Sequence, residues 1–146
     1  MDPTTEEEFD EALKSLPINK SPGPSRIPNE MWKKAPALLR KELKALIDNC
    51  IAQHNIPTEW TQATVILIPK KETWSGNLYN TRPITLIETG RKLLTRILTN
   101  RISKTCTKHN ILKSDNFSVL KDTSIAIPIQ IINFAIEHAT TNKKTL

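Results

Sequence analysis

Ala63-Thr-Val-Ile-Leu-Ile-Pro-Lys-Lys71 and Thr81-Arg-Pro-Ile-Thr-Leu86 decide how this sequence folds. Each is an apolar, β-branched run of strand length. Each also carries a cation at its edge: Lys70 and Lys71 leave the first run, and Arg82 enters the second. Trp74, Ser75, Gly76 and Asn77 between them are turn and loop residues. The pattern predicts two antiparallel strands over about 63–87, joined as a β-hairpin. The first strand is apolar on both faces and is expected to be covered on both sides. Pro83 puts the second at an edge or a strand start. Such a hairpin brings Lys70 and Arg82 towards one end as converging cations. With no acid nearby except Glu72, they form a better phosphate clamp than ion pair. Strand-end residues pointing into water are the alternative reading.

The flanking segments read as helices. Thr5-Glu-Glu-Glu8 is a capping-box pattern, after which Phe9, Ala12, Leu13 and Leu16 share one helical face until Pro17. Residues 17–28 hold four prolines and one glycine, a rigid extended loop. A helix starts at Asn29 and resets near Pro36. Leu39, Leu43, Leu46, Ile47, Cys50 and Ile51 stripe the next one, which ends near Pro57. A basic helix follows over about 88–108, burying Leu93, Leu94, Ile97, Leu98 and Ile102. Residues 111–122 are irregular, with a short strand at 117–120. A last helix covers about 123–141 with Ile127, Ile131, Ile132, Ala135 and Ile136 as its apolar set. The expected class is α+β, mostly helical, in one partial domain over 1–146: an N-terminal helix and Pro-rich loop at 1–28, then helices and hairpin at 29–146.

Charge is unevenly spread. The 146 residues carry a formal +6, yet residues 1–14 hold six acids against Lys14. Residues 89–108 contain six bases (Arg91, Lys92, Arg96, Arg101, Lys104 and Lys108) and no acid. Such a block favours a polyanionic partner, nucleic acid being the usual one; a solvated helix face is the alternative. The acidic N-terminus is neither a signal nor a transit peptide. The longest apolar stretch, residues 125–136, falls short of the ~20 residues that a membrane helix needs. An intracellular chain, cytoplasmic or nuclear, with reduced cysteines is expected. Cys50 with His54, and Cys106 with His109, match no common zinc spacing, so no metal is assigned.

Taken in order, Lys20-Ser-Pro-Gly-Pro24, Ile27-Pro-Asn-Glu-Met31, Ile56-Pro-Thr-Glu-Trp60, Ile68-Pro-Lys70, Arg82-Pro-Ile-Thr-Leu86 and the helix carrying Lys92 and Arg101 form a recognisable series. This series resembles the N-terminal fingers region of reverse transcriptases encoded by non-LTR retrotransposons, over about residues 5–144. The resemblance implies the fingers part of a right-hand polymerase fold. It also implies RNA-templated DNA synthesis with Mg2+ for the full-length parent, and no cofactor in this chain. Its implied partners are an RNA or DNA template–primer, a deoxynucleotide triphosphate and the palm segment of the parent polymerase.

Carried over residue by residue, Lys70 and Arg82 hold the triphosphate. Lys20 lies in a loop that meets the template–primer or braces the fingers, a structural connector being the other reading. Arg91, Lys92, Arg96 and Arg101 are candidates for template-backbone contact. Departures are visible. Ser25 and Arg26 stand where the family has an Asp and a small residue, Thr81 stands for a Tyr, and Leu120-Lys-Asp-Thr-Ser124 replaces a Gly-rich turn.

Catalysis is not expected from these residues. Two-metal nucleotidyl transfer needs converging carboxylates, which the family places on a strand after this region and in a Tyr-any-Asp-Asp hairpin. Here Tyr79 precedes Asn80 and Thr81, and after residue 88 the acids are Asp115, Asp122 and Glu137. Residues 142–146 stand about where the first catalytic strand would begin. The reading is therefore a polymerase fragment that binds nucleotide and template–primer and is inactive alone. A non-enzymatic basic nucleic-acid-binding or protein-interaction module is the alternative.

Overall fold

The structure, a computed structural model, describes residues 1–70, 74–109, 111 and 124–143. The expected strand at 117–120, Asp115, Asp122, Glu72 and residues 120–123 of the turn lie outside the described residues. The fold is α+β, as the sequence predicts: mostly helical, with one two-stranded antiparallel sheet. By chain contacts it forms two compact units, Met1–Leu98 and Thr99–Leu146.

Among the described residues, the first unit holds four α-helices, the hairpin and the start of a fifth helix. Helix α1 spans Glu6–Ser15, and Thr5 caps it by accepting the Glu8 backbone N–H at 3.1 Å. Helix α2 is the short Asn29–Lys33, α3 is Ala37–Gln53, and α4 is the single turn Thr58–Thr61. Pro28, Pro36 and Pro57 stand at the N-caps of α2, α3 and α4. Their fixed φ suits a helix entry, and their missing N–H costs nothing there. Strand β1, Ala63–Pro69, and strand β2, Thr81–Ile87, form the hairpin, and α5, Thr89–Lys108, follows after the single residue Glu88.

The core interleaves Phe9, Ala12, Leu13 and Leu16 with Leu43, Ile47, Cys50 and Ile51 of α3 and with Leu93, Leu94 and Ile97 of α5. Trp32, Ile56, Trp60 and Leu98 close its margins. This is nearly the set that helical periodicity selects. Burial pushes the Cys50 thiol above its ordinary pKa, which keeps it an inert core group.

The acidic N-terminus docks on the basic side of α3. Arg40 reaches Asp10 at 3.8 Å, and Lys44 reaches Glu6 at 3.9 Å and Asp48 at 2.9 Å. Asp48 accepts both the Thr4 backbone N–H (2.7 Å) and the Thr4 hydroxyl (2.5 Å). Partial burial raises the Asp48 pKa, but the Thr4 bonds and then Lys44 outweigh it, so the carboxyl sits below its ordinary value. A depressed carboxylate pKa contributes stability above the unfolded value of ~3.9, and that contribution is lost as pH falls through the lower folded value. Urea midpoints measured between pH 6 and pH 2 are therefore expected to fall less steeply for Asp48→Ala than for the native chain. Parallel curves would remove Asp48 from the acid response.

Two expectations are corrected. Strand β1 is not covered on both sides: Val65, Ile66, Leu67 and Ile68 are exposed by 56, 45, 46 and 47 %. Helices α1, α3 and α5 spend their apolar faces on one another, which leaves no described layer for the hairpin. Its β-branched residues follow strand pairing, not burial. Ile102 is likewise exposed (59 %), because the α5 face that enters the core runs out at Ile97 and Leu98. In the second unit, helix α6, Ala126–Thr141, leaves Ile127, Ile131, Ile132 and Ile136 exposed. Among the described residues, no helix is long and apolar enough to cross a membrane.

Candidate nucleotide and nucleic-acid interface

The hairpin register decides which side chains share a face. Ile68 pairs with Arg82 and Pro69 with Thr81, and the Lys70 N–H bonds the Asn80 carbonyl at 2.8 Å, extending the pairing by one residue. Side chains alternate along a strand, so Lys70, two residues beyond Ile68, lies on the face of Arg82 as its diagonal neighbour. Thr64, Ile66 and Ile84 continue that face. Both cations are exposed, and among the described residues neither joins an ion pair. The Lys70 ammonium donates to the Tyr79 carbonyl at 3.1 Å, which holds it over the hairpin end.

That end is itself ordered by short-range bonds. A 3-10 turn at Leu78–Asn80 leads into β2, and the Asn77 side chain accepts the Tyr79 N–H at 3.0 Å. The Trp74 indole N–H donates to the Asn77 carbonyl at 2.9 Å, and the Thr81 hydroxyl to the Leu78 carbonyl at 2.6 Å. Gly76 takes φ +84, a left-handed conformation with open space beside it. The arrangement offers one guanidinium and one ammonium on one face, with no ion-pair partner for either among the described residues, to an anion approaching from that face.

The remaining cations fall into different settings. Arg91 donates to the Trp60 carbonyl at 3.0 Å, and Lys92 to the Ser21 carbonyl at 3.2 Å, so both tie α5 to its neighbours. Lys20 is exposed and adjoins Ser21, which places it near the Lys92 ammonium. Arg96 is exposed on α5 within the first unit, and Arg101 is half-buried in the second. The structure therefore groups Lys70 with Arg82, and Lys92 with the loop of Lys20. Among the described residues, no three of His, Cys, Asp and Glu converge on a common point.

Sequence reasoning missed the clamp at the start of α5. Glu88 is buried at 6 % exposure. Its carboxylate accepts both the Ser25 N–H and the Ser25 hydroxyl, each at 2.6 Å. Thr89, also buried, donates its hydroxyl to the Ile27 carbonyl at 2.6 Å. Asn29 closes the loop's other end by donating to the Pro17 carbonyl at 2.6 Å. The Pro-rich loop is thus fastened to the β2–α5 junction. Ser25 serves this contact directly, at the position where the family has an Asp. Arg26, standing for a small residue, takes φ +62, a left-handed conformation costing about 1–2 kcal/mol in a residue with a Cβ. An acid directly before a helix was visible in the sequence. Its partner, 63 positions away, was not.

No family model matches the chain. Over 115 residues it is 30% identical to a probable RNA-directed DNA polymerase from transposon BS of Drosophila melanogaster, covering 79% of this chain and 13% of that protein. The chain is similar to a segment of a reverse transcriptase. Over 136 residues it is also 25% identical to the RNA-directed DNA polymerase from mobile element jockey of the same fly, covering 93% of this chain and 13% of that protein. The reverse-transcriptase-like region thus spans 13% of the length of each relative. The matches agree with the resemblance to reverse transcriptases drawn from the proline motifs and the hairpin, at the level of a reverse-transcriptase-like region.

Proposed function

We propose that this chain is the fingers region of a non-LTR retrotransposon-type RNA-directed DNA polymerase. In that role it contributes nucleotide-triphosphate and template–primer binding and no catalytic carboxylate. The observation that carries the reading is the hairpin register: Ile68 opposite Arg82 puts Lys70 and Arg82 on one exposed face without a described carboxylate between them. A triphosphate needs charge-assisted donors, and arginine can grip it with two bonds while lysine supplies a mobile point charge. The likeness to two RNA-directed DNA polymerases supplies the chemical context.

Template contact is assigned to α5, with Arg96 as the exposed cation best placed to give it, since Arg91 and Lys92 are half-buried where α5 meets its neighbours. Binding of an RNA–DNA hybrid is expected to be sequence-independent and to weaken steeply with salt. Arg96→Ala should flatten the slope of log affinity against log salt by about 0.7–0.9, the loss of one phosphate contact. Fluorescence anisotropy between 50 and 300 mM salt measures it. An unchanged slope would make Arg96 a solubilising residue and remove it from the interface.

A further inference from the structure

A cleft of about 480 Å³ opens on the first unit between α2, α3 and α4 on one side and the Pro-rich loop with the β2–α5 junction on the other, and no residue of the hairpin strands lines it. Its long wall is a stripe of α3, Leu39, Leu43 and Leu46, and the Trp32 and Trp60 rings line it as well. Leu43 is buried, whereas Leu39 and Leu46 remain 51 and 39 % exposed although they belong to the same stripe. Glu42 and Glu59 line the same cleft, both exposed, and among the described residues neither is in an ion pair. This acidic, apolar site lies on a chain whose formal charge is +6.

These features select an occupant. Carboxylates repel phosphate, so nucleic acid is disfavoured here. Leu39 and Leu46 stand seven residues apart, about 10 Å along the axis at 1.5 Å per residue. A linear apolar stripe of that length, flanked by indole rings, matches the ridge of a second helix better than a compact small molecule. The carboxylates then require cations beside that ridge. We propose that this cleft docks a basic amphipathic helix of a protein partner, its leucine-type ridge on the α3 stripe and its Lys or Arg side chains against Glu42 and Glu59. This goes beyond nucleotide and template binding and does not depend on it.

The test uses the full 146-residue chain and two labelled synthetic helical peptides. Both carry the same leucine ridge; one has lysines flanking it and the other has glutamates at those positions. Fluorescence anisotropy is expected to show the lysine peptide binding at least tenfold more tightly. The double variant Glu42→Lys, Glu59→Lys should invert that order, and Leu46→Ser should weaken the lysine peptide at least tenfold. The Glu positions are exposed, so the reversal keeps the test decisive if Leu46→Ser fails to fold. Equal affinity for the two peptides, no binding, or binding indifferent to both sets of variants would overturn the proposal. RNA binding by the chain that a folded Leu46→Ser variant loses, or self-association in sedimentation equilibrium that Leu46→Ser abolishes, would give the cleft to nucleic acid or to a second copy and overturn it equally.

Discussion

Ile97→Ala is expected to lower the stability of the Met1–Leu98 unit by about 2–5 kcal/mol, the usual cost of truncating a fully buried isoleucine. Ile97 is 0 % exposed and joins α5 to the α1–α3 core, so the vacated space is walled by three helices that cannot all collapse into it. Total domain stability is only about 5–15 kcal/mol, which makes this loss a large fraction of the whole. Ile102, five residues along the same helix, is 59 % exposed, and Ile102→Ala should change stability by no more than about 0.5 kcal/mol. Urea titration followed by circular dichroism gives both numbers. Similar losses at the two positions would mean that the α5 face entering the core extends beyond Leu98.

Gly23→Ala carries the second large effect. A Cβ at Gly23 would lie 2.6 Å from the Glu88 nitrogen and the Ile87 carbonyl carbon, and 2.7 Å from the Ile87 oxygen. These are backbone atoms at the β2–α5 junction, not the far end of a side chain, so they yield only if the junction moves. Overpacking typically costs about 1–3 kcal/mol, and a clash with backbone belongs at the upper end or beyond. The same displacement pulls Ser25 from the Glu88 carboxylate, so a second readout is available in the amide exchange of Ser25. A midpoint close to native with full Ser25 protection would show that the loop is not held as tightly as these distances require.

How much of this was legible in the sequence follows from the range of each interaction. The hairpin was readable because β-branched runs and turn residues are local signals, and α3 because its apolar positions recur at helical spacing. Helix α4, four residues after Pro57, and the turn at Leu78–Asn80 are too short to impose a period. The double cover expected for β1 failed because an apolar run reports what a strand can pack against, not whether a layer is there. Arg91 and Lys92 are indistinguishable in composition from Arg96, yet each gives one donor to a carbonyl, of Trp60 and Ser21, and is half-buried, whereas Arg96 is exposed. The Glu88–Ser25 contact joins residues 63 positions apart, and no local pattern announces it. The convergence of Lys70 and Arg82 at one hairpin end was readable from their places on the two runs, whereas their common face depends on the register that sets Ile68 opposite Arg82.

Titration of the chain with deoxythymidine triphosphate, followed by NMR, tests the central claim that Lys70 and Arg82 form a polyphosphate site. The side-chain resonances of both residues are expected to shift together, with the triphosphate binding more tightly than the monophosphate. Lys70→Ala combined with Arg82→Ala should raise the dissociation constant at least tenfold, equivalent to about 1.4 kcal/mol. Both positions are exposed, so the fold should survive the change. Triphosphate binding that is undiminished in the double variant, or that leaves the Lys70 and Arg82 resonances unmoved in the native chain, would contradict the assignment.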